Sequence, residues 1–250
     1  MLKNFFKIAF RNLWRNKLNT FINVIGLSVG IASCILITLH VTDEFSYDRF
    51  LENSDRIYRV ALNRIYPENT ISYAIIPHSY GPTIKKDIPE VEDQCRILDI
   101  RNEFILRYED KRFKENNFIL ADTNFFEFFS IELLIGDPKT VLSNPMAIVM
   151  TESMAKKYFG NQDPLGKTLS GVFGEIEVAG ICADFPENSH MEFDFVGSLF
   201  INDFIRTINY VSFSTCIYIR LQEGIDPTLV EGKFPDLVKL YASGQIEQSM

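Results

Sequence analysis

Residues Gly160-Asn161-Gln162-Asp163-Pro164-Leu165-Gly166-Lys167-Thr168 look like a loop whose backbone N–H groups cradle phosphates. Such a loop needs four residues between its glycines, a strand before it and a helix after it. Here five residues intervene and a helical pattern ending in Lys157-Tyr158-Phe159 comes first. Gly160 therefore reads as a helix C-cap, and nucleotide binding is not expected. Asp184, Glu187, His190, Glu192 and Asp194 could offer oxygen and imidazole ligands to a divalent cation. They lack the spacing of an EF-hand or an HExxH helix, and Pro186, Asn188 and Ser189 supply turn chemistry instead. The four cysteines, Cys34, Cys95, Cys182 and Cys216, form no CxxC pair and are widely scattered. Buried free thiols are the expected state, with no zinc site and no disulfide framework. Three histidines and no nucleophile elbow or paired-carboxylate signature leave no catalytic arrangement, so neither an enzyme nor a cofactor is expected.

The elements that would hold these residues read as a mixture of short strands and short helices. Strand patterns cover 56–64, 91–98, 103–108, 118–121, 147–150, 175–183 and 212–221. Helical patterns cover 81–87, 123–129, 152–159 and 226–241, the last opening on Asp226-Pro227. The mixture predicts an α+β domain without repeats or a long linker. The string Phe125-Phe126-Glu127-Phe128-Phe129 predicts a core helix, or a docking patch if it is exposed.

Charge is distributed unevenly. Residues 1–42 hold Lys3, Lys7, Arg11, Arg15 and Lys17 and no acid, whereas residues 43–250 hold 33 acids against 20 bases, a balance of −13. The acidic part would be repelled by phosphate backbones, so nucleic acid is not an expected partner. The basic start instead precedes Phe21–Val41, 21 residues without Asp, Glu, Lys or Arg. At about 1.5 Å per residue that run spans roughly 30 Å, the thickness of a hydrocarbon core. Bases before it and Asp43, Glu44 and Asp48 after it predict a cytoplasmic N-terminus and an extracytoplasmic main domain. A cleavable signal peptide has a shorter apolar stretch. Ile31-Ala32-Ser33-Cys34 resembles a lipoprotein box, but Ile35-Leu36-Ile37-Thr38-Leu39 continues the apolar run where a polar linker should begin.

Ahead of the span, Leu2, Phe5, Phe6, Ala9, Phe10 and Leu13 recur on one helical face and Lys3, Lys7 and Arg11 on another. This predicts an interfacial amphipathic helix over residues 1–20, with Lys3, Lys7, Arg11, Arg15 and Lys17 among lipid headgroups and Trp14 at the water boundary. The same face could pack on a neighbouring helix. Within the span, Gly26 and Gly30 form a GxxxG and Asn23 precedes them on nearly the same face, a candidate helix-packing seam.

Several blocks together resemble permease subunits of ABC transporters of the macrolide-exporter and lipoprotein-release (MacB/FtsX-like) type. They are Phe10-Arg11-Asn12-Leu13, the first span, Tyr47-Asp48-Arg49-Phe50 and Asp55-Arg56-Ile57-Tyr58-Arg59-Val60. Further on come Ala121-Asp122-Thr123-Asn124-Phe125-Phe126, Leu134-Ile135-Gly136-Asp137-Pro138, Val149 to Leu169, and Asp184-Phe185-Pro186-Glu187-Asn188-Ser189-His190. The resemblance implies an inner-membrane permease that pairs with a second permease copy, a separate ATPase subunit and envelope partner proteins. It implies a two-lobed external domain over 42–250 after a cytoplasmic helix (1–20) and a span (21–41), with one lobe inserted in mid-chain. The family has four membrane helices, so a single span and an end at Met250 predict a C-terminally incomplete domain or truncated product. A single-span anchored ligand-binding or sensor domain is the competing expectation.

Overall fold

The computed structural model describes residues 2–48, 50–66, 68–100, 102–186 and 188–249, without the side chains of Leu2, Lys3, Phe5, Ala9, Glu247, Gln248 and Ser249. Two compact units result, Met1–Asp48 and Arg49–Met250.

The first unit holds two helices, α1 (Leu2–Arg15) and α2 (Lys17–Glu44), separated at Asn16, whose φ of −110° and ψ of 55° leave the helical region. The second helix therefore starts four residues before the apolar run. No residue of α2 is buried, and its mean hydropathy reaches 2.2 over 18 residues.

The second unit is built on one long mixed sheet. Its strands in chain order are β1 (Ile57–Val60), the hairpin β2 (Leu62–Ile65) and β3 (Thr70–Tyr73), β4 (Val91–Ile100), β5 (Phe104–Tyr108), β6 (Lys111–Glu115) and β7 (Phe118–Ala121). They continue with β8 (Leu133–Ile135), β9 (Ala147–Thr151), β10 (Thr168–Gly171), β11 (Gly174–Cys182), β12 (Phe195–Ser198) and β13 (Cys216–Leu221). The helices are α3 (Tyr80–Asp87), α4 (Phe125–Phe128), α5 (Glu152–Phe159), α6 (Pro227–Glu231) and α7 (Phe234–Ser249). The sheet order is β1-β13-β4-β7-β12-β9-β11-β10-β5-β6, with β8 joining β11 and the β2–β3 hairpin standing apart. Among the described residues, β7–β12 and β9–β11 are the parallel pairs.

Side-chain alternation sorts the core onto two faces. Ile119, Ala121, Val149 and Val196 point to one face, where the α4 phenylalanines pack. Phe118, Leu120, Ile148, Met150 and Phe195 point to the other, under Tyr158 and Phe159 of α5. At the β1 end, Ile217, Ile219 and Leu221 pack against Ile84 of α3, Val230 of α6 and Leu237 of α7. The middle of the chain builds the opposite end of the same sheet. Gly180 sits at a register shift in β11, where a Cβ would stand 2.9 Å from the Ile135 carbonyl, so the bulge needs glycine.

Two sequence expectations shift. The helix expected over 226–241 is two helices, because the chain turns at Gly232-Lys233 before Phe234 restarts it. The strand expected over 56–64 breaks at Ala61, sending β1 into the sheet and β2 into the hairpin. Strands β3, β6, β8, β10 and β12 were not anticipated; each has three to five residues, too few for a periodicity to show.

Candidate membrane anchor and the charged clusters of the sheet unit

In α1, Phe6, Phe10 and Leu13 lie on one side of the helix and Lys7, Arg11 and Arg15 on another, all exposed; the side chain of Lys3 lies outside the described residues. Trp14 is 71% exposed, and Lys17 Nζ stands 5.5 Å above its ring. A cation over an indole face at the start of an apolar helix suits a headgroup layer, where one end of each group stays wet. The bend is tied by Thr20 Oγ1 donating to the Leu13 carbonyl at 3.0 Å and by Asn16 N–H donating to the Asn12 carbonyl at 3.1 Å.

Along α2, Thr38 and Thr42 return their hydroxyls to the Cys34 and Thr38 carbonyls at 2.8 and 2.7 Å. These two hydroxyls are thereby satisfied within the helix itself, the form that hydrocarbon favours for a polar group. Cys34 sits in mid-helix, with ten helical residues after it. A Cβ added at Gly26 or Gly30 would meet nothing within 4 Å, so this stripe is open within the unit. Asn23 continues that stripe toward the bend. It joins Asn12, Asn16, Asn19 and Thr20 around a concavity of about 510 Å³ with apolar flanks at Leu13, Val24 and Leu27. The 4-3-4 spacing of the four asparagines would make one stripe on a continuous helix and was the signal available in the sequence, whereas the structure gathers them at the break at Asn16.

In the sheet unit several charged groups are paired with one another. Asp122, 5% exposed, accepts from Arg96 Nε at 2.9 Å, Arg96 Nη2 at 2.7 Å and Arg96 N at 2.9 Å. Glu115, 4% exposed, accepts from Lys157 Nζ through both oxygens at 2.8 Å and from the Tyr158 hydroxyl at 2.7 Å. Glu92 is shared by Arg56 at 2.9 Å and Arg220 at 3.1 Å. Burial, then nearby Glu115, raise the Asp194 pKa. Burial lowers that of His78, whose Nε2 donates to the Thr207 carbonyl at 2.8 Å while Nδ1 meets Ser214 Oγ at 3.2 Å.

The residues singled out from sequence as possible ligands are dispersed. Asp184 accepts from Ser153 N at 3.0 Å and Ser153 Oγ at 2.6 Å, holding the first turn of α5. His190 Nε2 meets the Tyr218 hydroxyl at 3.0 Å, Glu192 takes Asn117 Nδ2 at 3.3 Å, and Glu187 lies outside the described residues. Among the described residues no three His, Cys, Asp or Glu side chains converge on a metal position. The Gly160 loop follows α5 with Gly160 at φ +64°, caps it through Lys156, and runs into β10. Its Lys167 donates to the Tyr108 hydroxyl and to Gln162 Oε1, both at 3.0 Å. The Phe125–Phe129 phenylalanines are each at most 1% exposed, so this string is core and not a docking patch. Cys95 and Cys182 are buried free thiols; burial pushes the Cys182 thiol up to about 12. Cys34 is exposed on α2 and Cys216 is half-buried.

A family model described as the MacB-like periplasmic core domain matches residues 20–237. No curated protein matches by sequence. Among solved structures, a domain of a permease protein from Porphyromonas gingivalis is 23% identical, with a TM-score of 0.71 over 80% of this chain and 86% of that one. The periplasmic region of MacB from Actinobacillus actinomycetemcomitans is 19% identical, with a TM-score of 0.51 over 70% and 82%. The extracellular domain of the noncanonic ABC-type transporter YknZ from Gram-positive bacteria is 13% identical, with a TM-score of 0.50 over 70% and 88%.

Proposed function

The chain belongs to the MacB-like periplasmic core domain family of ABC transporter permeases, and on that premise we propose that it is a permease subunit, or its front part, working beside a separate ATPase. In this reading α2 crosses the cytoplasmic membrane with the N-terminus inside, and the sheet unit stands outside the cytoplasm. Helix α1 lies at the inner surface, with Lys3, Lys7, Arg11, Trp14, Arg15 and Lys17 as its anchor among lipid headgroups. Asn23, Gly26 and Gly30 pack against a second permease copy or a further membrane helix. Motion of the membrane helices, driven by ATP hydrolysis in the partner, reaches the sheet unit, which acts on an exported substrate or on envelope proteins. The chain itself does no covalent chemistry.

One observation carries this reading: a single family match takes in both the exposed apolar helix and the sheet unit. The charge step supports the orientation, since all five bases of residues 1–42 precede the apolar run and three acids follow it within seven residues. The closed ion pairs of the sheet unit support a non-catalytic role, because its buried carboxylates are occupied by Arg96, Lys157 and Tyr158.

The test is affinity capture of the tagged gene product from solubilised membranes. Recovery of an ATP-binding subunit whose hydrolysis rate changes with the permease bound is the expected result. Recovery without any ATPase, together with saturable binding of a small ligand to the sheet unit, would replace this reading with an anchored binding domain.

A further inference from the structure

The free edge β6 and its neighbour β5 carry an unbalanced pair of cations. Strand alternation buries Phe104, Leu106 and Tyr108 and turns Ile105 and Arg107 outward. The register sets Arg107 directly opposite Arg112, and Ile105 opposite Lys114. Residues directly opposite in an antiparallel pair have Cβ atoms about 4.5–5.5 Å apart, where like charges repel. Lys114 is compensated by Glu103 at 2.6 Å. Arg107 and Arg112 are exposed and make no ion pair among the described residues. Among the described arginines of this unit, Arg56, Arg96, Arg206 and Arg220 each hold a carboxylate and Arg59 and Arg64 do not; what sets Arg107 and Arg112 apart is that they face each other across a strand pair. This like-charge pair stands in a chain where acids outnumber bases 33 to 25. On the other side of Arg107, strand β10 contributes Ser170, a hydroxyl and not an acid.

The same strand leaves backbone groups unpaired. Strand β6 ends the sheet order and pairs only with β5, so one row of its N–H and C=O groups faces outward. Its basic residues oppose pairing with a second copy of itself and with the other edge, β1, which carries Arg59. They favour an acidic strand.

We propose that the β5–β6 hairpin is a docking edge for an extended, acidic polypeptide segment, which adds to the sheet beside β6 and sets carboxylates against Arg112 and Arg107. Main-chain hydrogen bonds supply affinity and the guanidinium pair supplies selectivity. The negative balance of residues 43–250 repels an acidic segment elsewhere, which confines binding to this edge. The inference stands on residues 104–115 and does not depend on an ATPase partner.

The test uses the full chain in zwitterionic nanodiscs and two synthetic ten-residue peptides, one alternating Glu and Val, the other Gln and Val. The acidic peptide is expected to bind, to slow hydrogen exchange in β6, and to weaken as salt rises. Arg107→Gln with Arg112→Gln should cost about tenfold or more in affinity, whereas Lys139→Gln, an exposed base elsewhere, should cost nothing. Without peptide, the double variant should melt no lower than the parent, because a repulsion has been removed. Equal binding of the neutral peptide, protection at β1 in place of β6, or full affinity in the double variant would each overturn the proposal. Loss of melting temperature in the double variant would also overturn it, by showing that the arginines are held within the fold.

Discussion

Helices α1 and α4 are both short and both rich in phenylalanine, yet they place those rings in opposite surroundings. In α4 and the residue after it, Phe125, Phe126, Phe128 and Phe129 are at most 1% exposed, and the pairs Phe125–Phe126 and Phe128–Phe129 meet edge-on with ring centroids 5.1 and 4.8 Å apart. In α1, Phe6 and Phe10 are 59% and 66% exposed. A sheet face with Ile97, Ala121 and Val149 lies under α4, so burial there is intramolecular. Among the described residues the first unit holds α1 and α2 and no sheet face of its own, so on the proposed anchoring its apolar area would be left for lipid or for other helices. Identical side chains thus stabilise the fold in one region and, on the proposed anchoring, would stabilise attachment in the other.

That contrast can be broken most sharply by substitutions of matched type. Asp122→Ala leaves the buried Arg96 guanidinium unpaired and should destabilise the sheet unit by about 3–5 kcal/mol. Phe125→Ala should cost a similar amount, about 3–5 kcal/mol, through the cavity it opens. Phe10→Ala, the same truncation on α1, should stay within about 0.5 kcal/mol. Thermal or urea unfolding of the full chain in micelles, followed by near-ultraviolet circular dichroism, checks all three. A large loss from Phe10→Ala would show that α1 is core after all.

A charge in mid-span tests the other region. Ile31→Arg should disfavour membrane insertion by about 2.5–3.5 kcal/mol, read as loss from the carbonate-resistant membrane fraction, with the sheet unit's unfolding midpoint unchanged. Unaltered membrane retention would sink the assignment of α2 as a span. Gly26→Leu with Gly30→Leu should be gentler. Leucine side chains would block the close helix approach that small residues permit, so capture of partner subunits should fall several-fold while insertion is unaffected. Unchanged capture would remove the glycine stripe from the packing surface.

The smallest effect expected is on pH dependence. Burial lowers the His78 pKa below 6.5, so the folded state binds this proton less readily than the unfolded state. The stability His78 contributes when neutral is therefore complete above the unfolded value and is lost as pH falls below 6.5 toward the folded value. Asp194 acts with opposite sign, since burial raises its pKa and lets the folded state hold a proton more readily as pH falls. His78→Asn should flatten the decline in melting temperature between pH 7 and 5 by an amount equivalent to under about 1 kcal/mol. An unaltered slope would assign the acid sensitivity to other groups.

The amino-acid sequence alone determined the elements whose signal is local. The apolar run, the amphipathic start, the helix at 152–159 with its Gly160 stop and the strands at 91–98 and 118–121 follow from period, capping and β-branching within a few residues. The ordered blocks that resemble the permease family were likewise legible without coordinates, as was the helix-before-loop order at Gly160. Tertiary structure decided what depends on register between distant segments. Only pairing of β5 with β6 sets Arg107 against Arg112, and only burial of β4 against β7 brings Arg96 to Asp122 across 26 positions of chain. The fate of the Phe125 string also waited on the fold, because the aromatic pattern of a core helix and of an exposed patch is the same until a sheet covers it. A hydrophobic or charged side chain carries its energy in its type, but its partner lies in another segment, and long-range pairing chooses it.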